Sequence, residues 1–209
     1  MTSDSDFYKH LGTLQNGSIL QGAYDLYKSS QNKNSFVLNG MLRAGLDLGE
    51  YQTEFNKLNG IFRAKNNNPL CLYRMTSTAE FTPSGAEVSL GLSFRYPAFL
   101  STTRDINVLQ GFVPPTGTPV ILIINCPINT GMALMEGNHN KLREQEVLLQ
   151  PGAEYKITNS EKIVCKSKIE HFLGKHNANN HELIYVITMD AINNSPVLDN
   201  VSEGDFYLF

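Results

Sequence analysis

The sequence changes character at "NNNP", residues 66–69, and this change limits the folds that the chain can adopt. Before it, apolar residues recur with a period near 3.6, which is typical of amphipathic helices. The three segments with this period are residues 18–30, 35–46 and 51–65. Ser18 and Ser35 are predicted to cap the first two helices. The apolar stripe of the second helix is predicted to contain Phe36, Val37, Met41 and Leu42.

After Pro69, short segments rich in β-branched and aromatic residues alternate with turn signals, a pattern that predicts strands. These segments are "LCLYRM", "AFLSTT", "TPVILIINCP", "EVLLQ", "EYKIT", "KIVCKS" and "ELIYVITMD". Helices come first and strands follow, without βαβ alternation, so an α+β fold with a largely antiparallel sheet system is predicted. We expect one domain over residues 1–209, with a helical part, 1–66, packed on a β-rich part, 67–209.

Charge and hydropathy argue against two classes of partner. The formal net charge is −3, and no run of five or six like charges occurs, so the cationic field that holds a phosphate backbone is absent and a nucleic-acid partner is disfavoured. The longest apolar run is too short to cross a bilayer, and no membrane partner is expected. The first twelve residues have no basic start and no apolar stretch, so we expect synthesis in the cytoplasm without a cleavable signal.

Common catalytic and metal-binding signatures are missing. The sequence has no dinucleotide fingerprint, P-loop, zinc-protease motif or nucleophile elbow. Five histidines lie in polar stretches at irregular spacing, and the three cysteines lack metal-ligand spacing, so no metal site is predicted. Cys71 and Cys126 lie in apolar runs, where we expect buried, reduced thiols.

Three polar features interrupt the predicted strands. Arg74 lies in "CLYRMT", where the guanidinium needs either a core carboxylate or a phosphate or carboxylate of a ligand. "AFLSTT" ends in the hydroxyls 101–103, which alone are a weak signal. Glu144 and Glu146 flank Gln145 at the start of an apolar run, and strand alternation predicts that both acids face one side. Such a pair disfavours its own ionisation unless a cation lies near; a solvated strand edge is the alternative.

In chain order these features resemble the R-S-E class of mono-ADP-ribosyltransferases, which includes bacterial toxins and effectors, phage enzymes and vertebrate ecto-enzymes. The matching residues are Tyr73-Arg74, Phe99-Leu100-Ser101-Thr102-Thr103 and Glu144-Gln145-Glu146. The continuation "VLLQPGAEYKI" is also similar, and the resemblance covers about residues 35 to 190. The chain departs from the class pattern at Met75, where many relatives have glycine, and at Thr103, where they have serine.

The resemblance implies a fold, a substrate and a reaction. The fold is the ADP-ribosyltransferase fold, with N-terminal helices on a split, mostly antiparallel β-sandwich. The substrate is NAD, used without a metal, and ADP-ribose is transferred to a protein side chain, arginine first, with release of nicotinamide. The partners are therefore NAD and a protein acceptor, expected in a host cell.

The resemblance also implies roles for individual residues. Glu146 would stabilise the oxocarbenium-like ribose of the transition state, and Glu144 would orient the acceptor guanidinium. Arg74 would bind the pyrophosphate, and Ser101 would bond to Glu146 and the ribose. The remaining predicted NAD contacts are Tyr73, Thr102, Thr103 and Phe112, the last of these against nicotinamide or else a core residue. Residues 132–141 would recognise the acceptor.

Two other functions stay open on the sequence. One is an NAD glycohydrolase on the same fold, with water as acceptor; the other is a non-catalytic module that binds NAD or a protein. The setting that we expect is a bacterial effector translocated into a host or target cell, with a phage enzyme in the host cytoplasm as the alternative.

Overall fold

The computed structural model describes residues 22, 25–27, 34–63, 65–81, 90–134 and 144–192. Its helices are α1 (Asn34–Ala44), α2 (Gln52–Gly60), α3 (Thr78–Phe81) and α4 (Lys166–Ala178), with 3-10 helices at Gly49–Tyr51, Ile61–Arg63 and Ile106–Phe112. Its strands are β1 (Leu70–Ser77), β2 (Ser93–Tyr96), β3 (Leu100–Thr103), β4 (Pro119–Cys126), β5 (Met132–Leu134), β6 (Glu146–Leu149), β7 (Ala153–Ile163) and β8 (Ile184–Ile192). None of the described helices combines the length and hydrophobicity needed to cross a bilayer.

The eight strands form one hydrogen-bonded order, β2-β7-β8-β4-β1-β3-β6-β5. Only β4 and β8 run parallel among the described pairs, so the predicted α+β fold with a mostly antiparallel sheet is confirmed. β1 pairs with β4 along its whole length but meets β3 in register only at Tyr73 and Thr103. This narrow seam divides the sheet into a five-stranded part, β2-β7-β8-β4-β1, and a three-stranded part, β3-β6-β5.

Helix α1 packs on the sheet through a face that matches the prediction only in part. Leu38 and Leu42 are buried, and their spacing of four residues places them on the same side of the helix. Phe36 and Val37 were predicted to share this stripe, but they are 73% and 37% exposed. The prediction was correct for Met41 and Leu42, which lie in or against the core. It was wrong for Phe36, which lies two positions from Leu38, roughly 200° around the helix axis.

An aromatic cluster joins the helices to β3. The ring of Phe99 lies 5.8 Å from that of Phe62, nearly parallel to it, and 5.8 Å from that of Phe55. Tyr27 meets Phe99 edge to face at 5.4 Å. Each such pair adds about 0.5–1.5 kcal/mol to the free energy of area burial. The cluster therefore fixes the start of the strand that carries Ser101.

Helix α4 begins inside the predicted strand "KIVCKS": Lys162 and Ile163 are strand residues of β7, as predicted, but Lys166 and Ser167 begin the helix. β7 ends at Ile163, and Cys165 is the N-cap of α4. The helix buries Ile169 and Leu173 in a second core cluster, separate from the one beneath α1 and α2. Its apolar pattern is short, and Gly174 breaks the helical backbone with φ 75°, so the 3.6 period does not extend far enough to be recognised. The predicted helix at 18–30 lies largely outside the described residues.

The asparagine run before β1 is more than a solvated loop. Asn66 is only 1% exposed, and its side-chain amide donates to the carbonyls of Asn68 at 2.7 Å and Pro127 at 2.9 Å. Its Oδ1 accepts from the N–H of Thr130 at 2.7 Å. The buried amide is thus hydrogen-bonded through both ends, and it ties the loop before β1 to the turn between β4 and β5.

The cysteines are all free, and two of them were predicted to be buried. Cys126 is buried at the end of β4, as predicted. Cys71 is exposed, because it lies one position from the buried Leu72 and successive side chains of a strand point to opposite faces.

Candidate active site

Strand β3 lies between the strand that carries Arg74 and the strand that carries Glu146. Ser101 is opposite Leu148 of β6, and Thr103 is opposite Glu146. On the other side of β3, Arg74 Nη1 donates to the carbonyl oxygen of Ser101 at 2.9 Å. Ser101 thus contacts Arg74, which lies 27 positions earlier in the chain, and Glu146, which lies 45 positions later.

The hydroxyl of Ser101 donates a hydrogen bond to Oε1 of Glu146. This is the bond that the family resemblance implies. Glu146 is only 6% exposed, so its carboxylate is held in position inside the protein by a side chain of the neighbouring strand. A hydrogen bond to an ionised acceptor is stronger than one between neutral groups.

The two other hydroxyls of the "STT" run bond to backbone of the segment that carries the glutamates. Thr102 Oγ1 donates to the carbonyl of Val147 at 2.6 Å. Thr103 Oγ1 donates to the carbonyl of Glu144 at 2.6 Å. Both threonines are buried, and they attach β3 to the glutamate segment beyond the strand ladder itself.

Glu144 reaches the site by a route that strand alternation does not describe. β6 begins at Glu146, and Gln145 has φ 47°, in the left-handed region that side-chain-bearing residues rarely adopt. The predicted reason for the two acids facing one side was therefore wrong. The turn at Gln145, and not an extended strand, carries Glu144 to the same cleft as Glu146.

All eight residues predicted from the sequence line one cleft with about 370 Å³ of empty space. The lining residues are Tyr73, Arg74, Met75, Ser101, Thr102, Thr103, Val108, Leu109, Phe112, Glu144 and Glu146. A guanidinium, a hydroxyl and two carboxylates thus share a small open cavity, which suits a ligand with both an anionic group and a centre of developing positive charge.

One wall of the cleft is the 3-10 helix Ile106–Phe112. Phe112 lines the cleft and is 50% exposed, so the alternative in which it is a core residue is wrong. Val108 and Leu109 were not predicted as cleft residues. The sequence contained a signal for this helix, because Asp105 is an acidic residue of the kind that caps helix starts. In the structure its side chain accepts from the N–H of Asn107 at 3.0 Å.

The apolar floor of the cleft includes Met75. Its side chain is buried together with Leu109 and Leu173 in the second core cluster, and it also lines the cleft. Met75, the position where the resemblance implies glycine in many relatives, therefore fills a space between the site and helix α4. A methionine side chain is flexible enough to fill irregular space of this kind.

Helix α4 holds the 3-10 helix from behind. Asn177 Nδ2 donates to the carbonyl of Gln110 at 3.1 Å. A Cβ atom at Gly174 would lie 2.9 Å from Oε1 of Gln110, and Gly174 has φ 75°. Glycine suits this position because of the backbone conformation, whereas the flexible end of the Gln110 side chain could move away from an added Cβ atom.

Tyr27 is a neighbour of the site that the sequence did not reveal. Its hydroxyl accepts a hydrogen bond from Asn39 Nδ2 at 2.7 Å. Burial raises the pKa of the Tyr27 hydroxyl well above its ordinary value; the bond from Asn39 lowers this pKa, whereas the charge of Glu146 raises it further. The hydroxyl therefore lies in the electrostatic field of the Glu146 carboxylate and stays protonated at neutral pH.

Two further features of the site concern metal binding and recognition of the acceptor. The described residues contain no group of three or more His, Cys, Asp or Glu side chains that could hold a metal ion. The predicted acceptor-recognition segment begins with β5, whose three residues are buried, and its residues 135–141 lie outside the described part of the chain.

Comparison with known proteins identifies the fold. No protein-family model and no curated protein match the chain, but solved structures do. The enzymatic component C2-I of the C2 toxin from Clostridium botulinum has a TM-score of 0.67 at 16% identity, over 93% of this chain and 48% of C2-I. C3larvin, an ADP-ribosyltransferase from Paenibacillus larvae, has a TM-score of 0.62 at 20% identity, over 88% of this chain and 100% of C3larvin.

A third similar structure is the ADP-ribosylating toxin BECa of C. perfringens, solved with NADH, with a TM-score of 0.62 at 17% identity, over 87% of this chain and 45% of BECa. The chain thus corresponds to about half the length of C2-I and of BECa. It has the fold of the ADP-ribosyltransferase toxins, which is the fold that the three sequence motifs imply.

Proposed function

We propose that this protein is a mono-ADP-ribosyltransferase that cleaves the bond between nicotinamide and ribose in NAD and transfers ADP-ribose to a protein side chain. The observation that carries the proposal is the buried carboxylate of Glu146, held by the Ser101 hydroxyl in a cleft that Arg74 also lines. The likeness of fold to ADP-ribosyltransferase toxins supports it.

The chemistry of NAD cleavage accounts for a fixed acid at this place. As the C–N bond to nicotinamide breaks, its electron pair leaves with the ring nitrogen, and positive charge develops on the ribose. A carboxylate fixed in advance beside that ribose interacts more strongly with the transition state than with NAD, and only such a difference accelerates the reaction. Glu146 provides the carboxylate, and Ser101 keeps it oriented.

Arg74 and Phe112 are proposed to bind NAD at the other side of the cleft. A guanidinium forms paired hydrogen bonds to phosphate oxygens, and the bond from Arg74 to the Ser101 carbonyl orients that group. The half-exposed ring of Phe112 offers a face on which nicotinamide can stack. Tyr73, Thr102 and Thr103 complete the lining of this binding site.

Arginine is the acceptor residue that we propose. Glu144 lines the same cleft as Glu146, and two neighbouring carboxylates are most favourable when a cation lies between them. The guanidinium of an acceptor would supply that cation. Because arginine keeps its proton firmly, Glu144 would orient the acceptor and would not deprotonate it in advance. The guanidinium would give up a proton to Glu144 as its nitrogen forms the new bond to the ribose.

The acceptor is proposed to be a protein of a host or target cell. Support comes from the solved structures of similar fold, whose names describe them as toxins. Synthesis in a bacterial cytoplasm followed by translocation is part of this proposal, and a phage enzyme in the host cytoplasm is its alternative.

Release of nicotinamide from NAD by the purified protein tests the proposal. Glu146→Gln should lower the rate by about 10²–10³-fold, the size of effect known for loss of one group that stabilises transition-state charge. Glu154→Gln is the matched control, since Glu154 lies on β7 in a loose ion pair with Arg95 at 3.9 Å and outside the cleft. Labelled NAD with a cell lysate, followed by mass spectrometry, would identify the acceptor residue.

Three outcomes would change the proposal. Nicotinamide release without any labelled protein would favour an NAD glycohydrolase. A wild-type protein that neither binds NAD in titration calorimetry nor releases nicotinamide would be a non-catalytic module. Full activity of Glu146→Gln would exclude the role given to this residue.

A further inference from the structure

The hydroxyl of Thr103 connects three segments at the end of β3. It donates to the carbonyl of Glu144 at 2.6 Å and accepts from the N–H of Asp105 at 3.0 Å. Thr103 is buried, so these backbone groups have limited access to water, and loss of the hydroxyl would remove one hydrogen bond from each of them. The carbonyl of Glu144 is thus held by a side chain and not by a strand ladder.

The next carbonyl is held in a similar way. The N–H of Arg104 donates to the carbonyl of Gln145 at 3.1 Å. Two consecutive residues of β3 and its continuation therefore bind two consecutive carbonyls before β6. Between those carbonyls lies the left-handed residue Gln145, with φ 47°. A side-chain-bearing residue keeps this conformation only where surrounding contacts enforce it.

Glu146 does not depend on the same contacts. It belongs to the β3–β6 ladder, in register with Thr103, and its carboxylate is bonded to Ser101. The wall that carries Phe112 is also anchored independently, by the buried Leu109 and by the bond from Asn177 to Gln110. The Thr103 hydroxyl therefore fixes the backbone of Glu144, and it also binds the N–H of Asp105, the residue that caps the 3-10 helix of this wall.

We propose that Thr103 is a positioning residue that holds Glu144 at the acceptor side of the cleft, and so controls the partition between transfer of ADP-ribose and simple cleavage of NAD. This inference rests on the proposed function. In this role the third position of the "STT" run needs a hydroxyl. Serine could also supply it, because the bonds involve only Oγ1.

Two variants separate the hydroxyl from the shape of the side chain. Thr103→Val keeps the shape and removes the hydroxyl, whereas Thr103→Ser keeps the hydroxyl. Thr158→Val is the matched control, because Thr158 is exposed on β7 and its hydroxyl bonds to the carbonyl of Thr188. Each protein is assayed for nicotinamide release and for transfer to agmatine, a soluble guanidinium compound, across a range of NAD concentrations.

Thr103→Val is expected to lower the ratio of transfer to nicotinamide release by about fivefold, the equivalent of one hydrogen bond. Thr103→Ser should restore the ratio, and Thr158→Val should leave it unaltered. Equal loss of transfer and release in Thr103→Val, or failure of Thr103→Ser to restore the ratio, would overturn the inference.

Crystal structures of the wild type and Thr103→Val give a readout that does not need activity. The expected result is that Gln145 leaves the left-handed region and Glu144 moves from the cleft, while Glu146 stays bonded to Ser101. An unchanged backbone at residues 144–145 would overturn the inference even if both proteins are active. If the wild type releases no nicotinamide, the proposed function fails, and these structures still decide whether Thr103 positions Glu144.

Discussion

The side-chain oxygen of Asn39 accepts a hydrogen bond from the backbone N–H of Phe99 at 3.0 Å. The same amide donates to the hydroxyl of Tyr27 at 2.7 Å. A residue of helix α1 thus holds the chain two positions before Ser101. The helical part of the protein and the strand that carries the site hydroxyl are joined by a specific polar contact as well as by apolar packing.

Replacement of Asn39 by alanine should lower the stability of the whole domain. The change leaves the N–H of Phe99 without its partner, which costs about 1–3 kcal/mol of unfolding free energy, measurable by urea denaturation. Asn56→Ala is the control, because Asn56 is exposed on α2 and bonds only to the side chain of Gln52 in the described structure. Equal stability of the two variants would show that the contact to Phe99 carries no weight.

Replacement of Ser101 by alanine should lower kcat for nicotinamide release and leave KM for NAD nearly unchanged. The Glu146 carboxylate loses its donor, and a hydrogen bond to a charged group contributes about 1.5–3 kcal/mol, or roughly 10–100-fold in rate. Steady-state kinetics of Ser101→Ala beside Ser160→Ala, an exposed serine of β7, provide the measurement. A change confined to KM would assign Ser101 to ground-state binding instead.

Phe112→Ala should raise KM for NAD by about 2–10-fold, the range that an aromatic pair contributes. Because the ring is half exposed, the thermal midpoint should hardly change. Phe112→Tyr keeps the ring and should bind NAD like the wild type. Phe36→Ala removes another exposed phenylalanine, on α1, and is expected to leave KM unaltered; a similar rise in both variants would argue against stacking on Phe112.

Tyr155→Phe should preserve or raise stability. The hydroxyl of Tyr155 is fully buried and has no hydrogen-bond partner among the described residues, and its burial raises its pKa well above the ordinary value. Removal of an unpaired buried hydroxyl avoids a desolvation cost of about 1–3 kcal/mol. Urea denaturation compares the unfolding free energies of Tyr155→Phe and Tyr27→Phe. Tyr27→Phe should be destabilised, because the hydroxyl of Tyr27 accepts a hydrogen bond from Asn39. A clear loss for Tyr155→Phe would reveal a buried water at its hydroxyl.

Cys165 should be alkylated faster than Cys126 at neutral pH. A hydrogen bond with the hydroxyl of Ser167 at 3.2 Å lowers the pKa of the exposed Cys165 thiol, and the N–H groups of Lys168 and Ser167 lower it further. Burial raises the pKa of Cys126 to about 12. Since the thiolate is the nucleophile, the rate at Cys165 should be half-maximal below the ordinary cysteine pKa. Iodoacetamide labelling with peptide mapping measures the alkylation rate at each cysteine. The Cys165→Ser protein is the control, and its total labelling should be slower.

The order of elements was predictable from sequence because strand signals are local. β1, β3, β4, β6, β7 and β8 each overlap a predicted segment, and the helices α1 and α2 precede them. The motif residues of the cleft could be predicted for another reason. Three polar groups lie in apolar strands, and burial of a polar group is costly unless it is hydrogen-bonded within the protein or to a ligand.

Other features depend on contacts that no local pattern encodes. Helix α4 was missed because Gly174 interrupts it with φ 75°, at a place where Gln110, 64 positions earlier in the chain, lies against the glycine. The backbone of Gln145 was predicted as extended because alternation is the default for a strand. Its left-handed turn is enforced from outside the segment, by Thr103 and Arg104.

The seam between the two parts of the sheet has a consequence for thermal behaviour. Arg74 belongs to the five-stranded part and Glu146 to the three-stranded part, and the strand ladder joins these parts at Tyr73 and Thr103 alone in the described structure. A dinucleotide that touches both residues would act as a non-covalent cross-link between the parts. Its binding free energy would then oppose their separation, so saturating NAD should raise the melting temperature by an amount that grows with the logarithm of ligand concentration.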